Sequence, residues 1–320
     1  MRSKIPSVVV MCLCALSLAT IGYGADDPAS QLKQGEVLVN TKQYEQAEGI
    51  YLAIVQQGSE YAFAAQKGLA LLYVATNDMA KADAAVAKLI TAFAQQPTLP
   101  REICRVGDAY LKAGKYDKAR QVYQYVLDKW TGTQNVLWAK AGLAKLDIAQ
   151  GNDAAAEAKI AGFVSDFNDH PELCEAVFEV AEAYWDQAAI KRNANLIEEQ
   201  HKYLRKTLGE CDRIISDFPN TELRKADSYF MSGDCYRLMD ERADAIARYE
   251  ELVRRWPSYE CAWGAQFLIG QGYEQLWLIS GCADAAALAK AKAAYQKVVE
   301  NYPNSRAAKV AAKWLKVNSK

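Results

Sequence analysis

Small and aromatic residues recur along this chain in a fixed frame, with charged residues between them. The stretch from Val106 to Tyr123 shows the frame most clearly: Gly107, Tyr110 three residues on, Ala119 twelve on and Tyr123 sixteen on. The same offsets hold for Gly35, Leu38, Ala47 and Tyr51, for Ala70, Tyr73, Ala82 and Val86, and for Ala144, Asp147, Ala156 and Ile160. They hold again for Gly233, Tyr236, Ala245 and Tyr249, with Pro257 closing that repeat. Offsets of three and four keep side chains on one helical face. Each repeat therefore predicts two antiparallel helices, whose small residues let the backbones approach closely.

Two further repeats fit once insertions are allowed. Ala181 and Tyr184 open one that closes with Thr207, Cys211 and Pro219, with about 14 extra residues near 186–206. Gly270 and Tyr273 open another that closes with Ala291, Tyr295 and Pro303, with about nine extra near 275–287. The first insertion is highly charged and predicts two helices extended beyond the stack. The second contains Leu276-Trp277-Leu278-Ile279 and either forms an exposed docking patch or lengthens a helix that packs on the cap.

Seven helical hairpins result. Gly114-Lys115, Gly151-Asn152-Asp153 and Asn77-Asp78 are the turns within hairpins. Phe218-Pro219-Asn220, Trp256-Pro257-Ser258 and Tyr302-Pro303-Asn304 separate repeats, because proline stops the preceding helix. Residues from Ser305 to Val317 predict a capping helix with Ala308, Ala311, Ala312 and Leu315 inward.

Composition agrees with helix: hydrophobic residues make up 51% of the chain, and there are only 8 prolines and 18 glycines in 320 residues. The formal net charge is −1, and no basic stretch interleaved with aromatics suggests nucleic acid. Arg2 and Lys4 precede an apolar run from Val8 to Ile21, followed by the small residues Gly22 to Ala25. That order predicts a secretory signal peptide over residues 1–24 and a solenoid over 25–320. The run is too short to span a bilayer, so no membrane span is expected in the mature chain. Cleavage would take two basic side chains from 38 and leave 39 acids, a mature net charge of −3.

Six cysteines lie beyond that segment, widely spaced and without a CxxC, so neither a metal site nor a redox motif is indicated. Cys211 and Cys235 fall on consecutive antiparallel helices about equally far from the turn near Arg224. Either a disulfide or a shared core position explains them. The two histidines, His170 and His201, lie in different contexts, and neither has a nucleophile nearby. HExxH, GxSxG, phosphate-loop and dinucleotide motifs are all missing, so no enzyme and no cofactor are expected.

The frame resembles the tetratricopeptide repeat family over roughly residues 30–315. The repeat ends Asp217-Phe218-Pro219-Asn220-Thr221 and Asn301-Tyr302-Pro303-Asn304-Ser305 resemble an envelope branch of it. That branch includes the Tol–Pal-associated cell-division coordinator and the outer-membrane assembly lipoprotein of Gram-negative bacteria. The chain differs from both in its greater number of repeats, in lacking a lipid-site cysteine and in lacking an N-terminal coiled coil. Neither identity is therefore carried over.

The resemblance implies a right-handed α-solenoid, exported to the periplasm or cell envelope, that binds protein partners along a concave groove lined by first helices. Three positions of the last three repeats then become candidates. They carry Phe178, Phe230 and Phe267 three residues before the small residue, Glu182, Asp234 and Gln271 one after it, and Trp185, Arg237 and Glu274 four after it. An aromatic row with charged flanks suits an apolar or mildly basic partner segment. Packing of the phenylalanines between helices explains them equally. Two other functions stay open: a carbohydrate- or wall-associated module whose aromatics stack on sugars, and an accessory subunit of a secretion or outer-membrane assembly machine.

Overall fold

The computed structural model describes residues 27–318; the expected signal segment and its cleavage site lie outside the described residues. All regular structure among them is helical. The described residues divide into two compact bodies, the first ending at Leu89 and the second beginning at Ile90.

The first body holds α1 (Pro28–Asn40), α2 (Tyr44–Gln57), α3 (Ala62–Ala75) and most of α4 (Met79–Ala92). Its core shows how the frame works. Tyr51 of α2 is buried between two glycines: a Cβ built on Gly35 would meet its ring at 2.5 Å, and one on Gly68 at 2.9 Å. Glycine is required at both places because the tyrosine ring fills the space a methyl would need.

The second body begins with α5 (Leu99–Lys112), α6 (Tyr116–Lys129), α7 (Leu137–Gln150) and α8 (Asp153–Asp166). It continues with α9 (Leu173–Asn193), α10 (Ile197–Asp217), α11 (Glu222–Leu238) and α12 (Arg242–Arg255). The last hairpin is α13 (Ala262–Ile279) with α14 (Ala285–Asn301), and α15 (Arg306–Val317) follows it. Successive hairpins stack, with α7 packed on both α5 and α9. Tyr123 repeats the wedge of the first body, pressed between Gly107 and Gly142. The architecture is thus the all-α series of seven hairpins and a terminal helix that the frame predicts.

The hairpin turns share one chemistry. A residue of left-handed φ sits just past each first helix: Lys42, Asn77, Gly114, Gly151, Asn195, Asp240, and Gly281 with Cys282. The next backbone N–H reaches back into the helix, as from Lys115 to the Tyr110 carbonyl at 2.8 Å and from Leu196 to Lys191 at 2.9 Å. In the ordinary repeats this bond ends on the second frame residue, such as Tyr73, Tyr110 or Tyr236; in the two long repeats it ends on Lys191 and Trp277. Those acceptors lie seven residues beyond Tyr184 and four beyond Tyr273. Seven residues make two turns and four make about one, so both extensions keep the buried face in register.

The first extension is anchored to its neighbours. Lys202 and Lys206 pair with Asp153 and Glu157 of α8, Arg205 meets Glu241 at 3.1 Å, and Lys191 meets Glu199 at 2.7 Å. Tyr203 is buried there against the preceding turn, near Gly151. The second extension does lengthen α13, but Leu278 and Ile279 at its end are 45% and 63% exposed and do not pack on α15. The terminal helix buries Ala307, Ala308 and Ala311, whereas Ala312 faces solvent. Trp314 stacks on Tyr295 instead, with ring centroids 4.6 Å apart.

Candidate interaction face

One face of α9 carries a row of carboxylates. Glu172, Glu175, Glu179, Glu182 and Asp186 are spaced by three or four residues and so share one stripe, which begins at the residue just before the helix. Its first three members have partners. Glu172 pairs with Arg101 and accepts the Trp138 indole N–H at 2.8 Å, while Arg101 lies 4.4 Å over the indole. Glu175 takes both the Nε and Nη2 donors of Arg224 at 2.6 Å. Glu179 pairs with Lys145, which also meets Asp108 at 2.7 Å.

Lys145 is the centre of that network, with its side chain only 8% exposed. Burial alone would lower the pKa of its amine, but Asp108 and Glu179 outweigh burial and raise it above the ordinary lysine value. Tyr123 donates its hydroxyl to Asp108 at 2.6 Å, so α5, α6, α7 and α9 converge on one cluster.

The row changes character at Glu182. Neither Glu182 nor Asp186 makes a hydrogen bond or ion pair among the described residues. Burial raises both pKa values, with Glu179 adding to the effect on Glu182; Lys112 pulls both back down. Both side chains nevertheless reach solvent. Both carboxylates are therefore open to a partner from solvent. Half-buried Trp185 shares their face at the adjacent turn.

The remaining candidates divide by what they touch. Phe178 is 6% exposed under the Arg224 guanidinium, 4.5 Å from the ring centroid, so the structure corrects its reading as an open anchor. Phe230 and Phe267 are half-buried and pack against Tyr249 and Tyr295, with centroids 5.9 and 5.5 Å apart. All three rings fill space between helices. Asp234 accepts the Tyr249 hydroxyl and Arg237, each at 2.7 Å. Glu274 accepts the Tyr295 hydroxyl at 2.6 Å and the Trp314 indole N–H at 2.7 Å. Gln271 is exposed. Only Glu182 and Trp185 are thus left facing outward together without internal partners.

Cys211 and Cys235 are free thiols, so of the two readings left open the structure has the shared core position. Both are fully buried, and burial pushes the Cys211 thiol up to about 12, so each behaves as a small core residue.

Asp108, Lys145, Glu179, Arg224 and Asp186 escaped the sequence reading. A signal for part of the cluster was present: an acid one residue after the small residue accompanies a tyrosine sixteen after it. Glu36 with Tyr51, Asp108 with Tyr123, and Asp234 with Tyr249 follow this rule. Cys211 stands at the tyrosine position of Glu182 and leaves that acid without its donor.

The tetratricopeptide repeat profile matches residues 105–132, 227–259 and 265–305. Those three stretches, about a third of the chain, are similar to tetratricopeptide repeats. Repeats of this kind stack into extended surfaces that hold other proteins. No curated protein matches the chain. Solved structures that match the chain include the C-terminal part of a tetratricopeptide repeat protein from Cytophaga hutchinsonii, 14% identical, covering 88% of this chain and 98% of that one, with a TM-score of 0.47. A tetratricopeptide repeat protein from Parabacteroides merdae is 14% identical over 92% of this chain and 99% of its own, with a TM-score of 0.40. Pseudomonas aeruginosa pilF is 13% identical over 72% and 92%, with a TM-score of 0.37.

Proposed function

We propose that this protein is an exported interaction scaffold of the bacterial cell envelope that holds a basic segment of a protein partner at the open end of the α9 row. The observation that carries the reading is that Glu182 and Asp186 remain unpaired beside Trp185. Every carboxylate earlier in the row has been given a cation by the fold. A lysine or arginine of the partner would supply the cation that the fold gives the rest of the row, and Trp185 offers an aromatic surface to the same side chain. No step of this function needs catalysis. Placement in the envelope rests on the order of Arg2, Lys4, the apolar run and Gly22 to Ala25. Among the described residues, no helix is long and apolar enough to cross a membrane.

The test is a crosslinking pull-down from envelope extract, comparing the native chain with Glu182→Lys/Asp186→Lys and with Trp185→Ala. A partner enriched by the native chain and lost from both variants supports the reading. Equal recovery by all three sinks it. Fractionation tests the location separately: a mature species lacking residues 1–24 is expected in the envelope fraction, and uncleaved protein in the cytosol would refute export.

A further inference from the structure

A second surface lies on the other side of the last hairpins and does not depend on the α9 row. A cleft of about 640 Å³ opens between α12 and α14, with α13 as its floor. Lys290, Ala293 and Lys297 line one wall and share a face of α14; Glu250 and Arg254 line the other. Among the described residues Lys297 has no hydrogen bond or ion pair, and Lys290 lies over the Tyr273 ring, 5.1 Å from its centroid. Glu250, the one acid in the walls, already accepts the Tyr273 hydroxyl at 3.0 Å. Arg254 reaches back to Glu251 at 2.6 Å and remains 66% exposed.

The surroundings reinforce this local excess. Residues 285–320 contain eight basic side chains and one acid, Glu300. The first 284 residues are left with 30 basic against 38 acidic, so the chain is strongly polarised although its net charge is −1. A field of one sign focused on a concave wall attracts and orients the opposite charge.

We propose that the α12–α14 cleft docks an acidic segment of a protein partner. Its carboxylates meet Lys290, Lys297 and Arg254, and an apolar side chain rests over Ala293. A recess with small residues in its wall suits a peptide better than a bilayer, which calls for a broad convex basic face.

The probe is a fluorescein-labelled polyglutamate peptide, titrated against the full mature chain by fluorescence anisotropy. Lys290→Glu/Lys297→Glu is expected to weaken binding by about tenfold or more. Lys309→Glu/Lys313→Glu on α15 makes the same charge change outside the cleft and should stay within about threefold of native. Ala293→Trp keeps every charge but fills the cleft, and should weaken binding as the first variant does. These side chains are exposed, so helicity and melting should match the native protein. Lys290→Gln/Lys297→Gln serves where the charge reversal disturbs folding. Equal loss in both double variants, or full binding by Ala293→Trp, overturns the proposal. So does preferential binding to phosphatidylglycerol vesicles with no affinity for the peptide, which would assign the basic end to a membrane surface.

Discussion

In the third repeat Gly107, Asp108 and Tyr123 stand at the positions that Ala181, Glu182 and Cys211 hold in the fifth. The first trio closes on itself: the ring fills the space above the glycine, and its hydroxyl binds the acid. The second trio has a buried methyl and a buried thiol at those positions, with no hydroxyl to donate to the carboxylate. One exchange of volume between facing helices, from glycine with tyrosine to alanine with cysteine, therefore decides whether the acid serves the fold or faces outward. The release of the acid thus goes with a change of side chains at two frame positions, in a repeat whose helices are also lengthened.

The largest break in this comparison comes from the closed repeat. Lys145→Met leaves Asp108 and Glu179 together without their cation and should cost about 3 kcal/mol or more. Urea unfolding followed by circular dichroism measures it. A loss below about 1 kcal/mol would mean the cluster behaves as a surface pair.

The wedge comes next. A Cβ on Gly107 would approach the Tyr123 ring to 2.6 Å, and one on Gly142 would come closer still. Gly142→Ala should therefore cost about 2 kcal/mol through overpacking. Gly162 of α8 has open space around its missing Cβ, so Gly162→Ala should be neutral or stabilise by up to about 1 kcal/mol. Equal responses at the two sites would refute the wedge. Smaller again are the hydroxyls. Tyr123→Phe should cost about 1 kcal/mol by removing a hydrogen bond, whereas Tyr184→Phe in the open repeat should be neutral or stabilising, because that hydroxyl is buried without a partner.

The hairpins were legible because their determinants are local. Small residues, aromatic wedges and turn residues recur at fixed offsets within one repeat, and insertions of whole turns leave the face unchanged. The phenylalanine row was legible, but the choice between binding anchors and packing was not. Whether Phe178 faces outward depends on Arg224, which lies 46 positions further on in another repeat. The charge network was hidden for the same reason. Asp108, Lys145 and Glu179 come from three repeats, and no single repeat shows that one lysine serves two acids. The alanine–cysteine exchange at Ala181 and Cys211 was visible in the frame. Its consequence for Glu182 needed the tyrosine hydroxyls of the other repeats to be seen reaching their acids.

The smallest expected effect tests the open repeat most directly. The Glu182 carboxyl is raised above its ordinary value of 4.5 by burial first and by Glu179 second. A carboxyl that is raised on folding binds its proton more tightly in the folded state. Its contribution to stability is therefore full below the ordinary value and falls as pH rises through the window up to the raised value. Glu182→Gln removes that fall. The difference between native and variant isolates it from carboxylates shifted the other way, such as Glu251, which Arg254 and Arg255 hold down to about 2. Near neutral pH the variant should match or exceed the native chain, by no more than about 0.5 kcal/mol. Below the ordinary carboxylate range the two should converge. Melting temperatures across that range decide it: a variant less stable at neutral pH would show that Glu182 has a cationic partner after all, and the fifth repeat would then be as closed as the third.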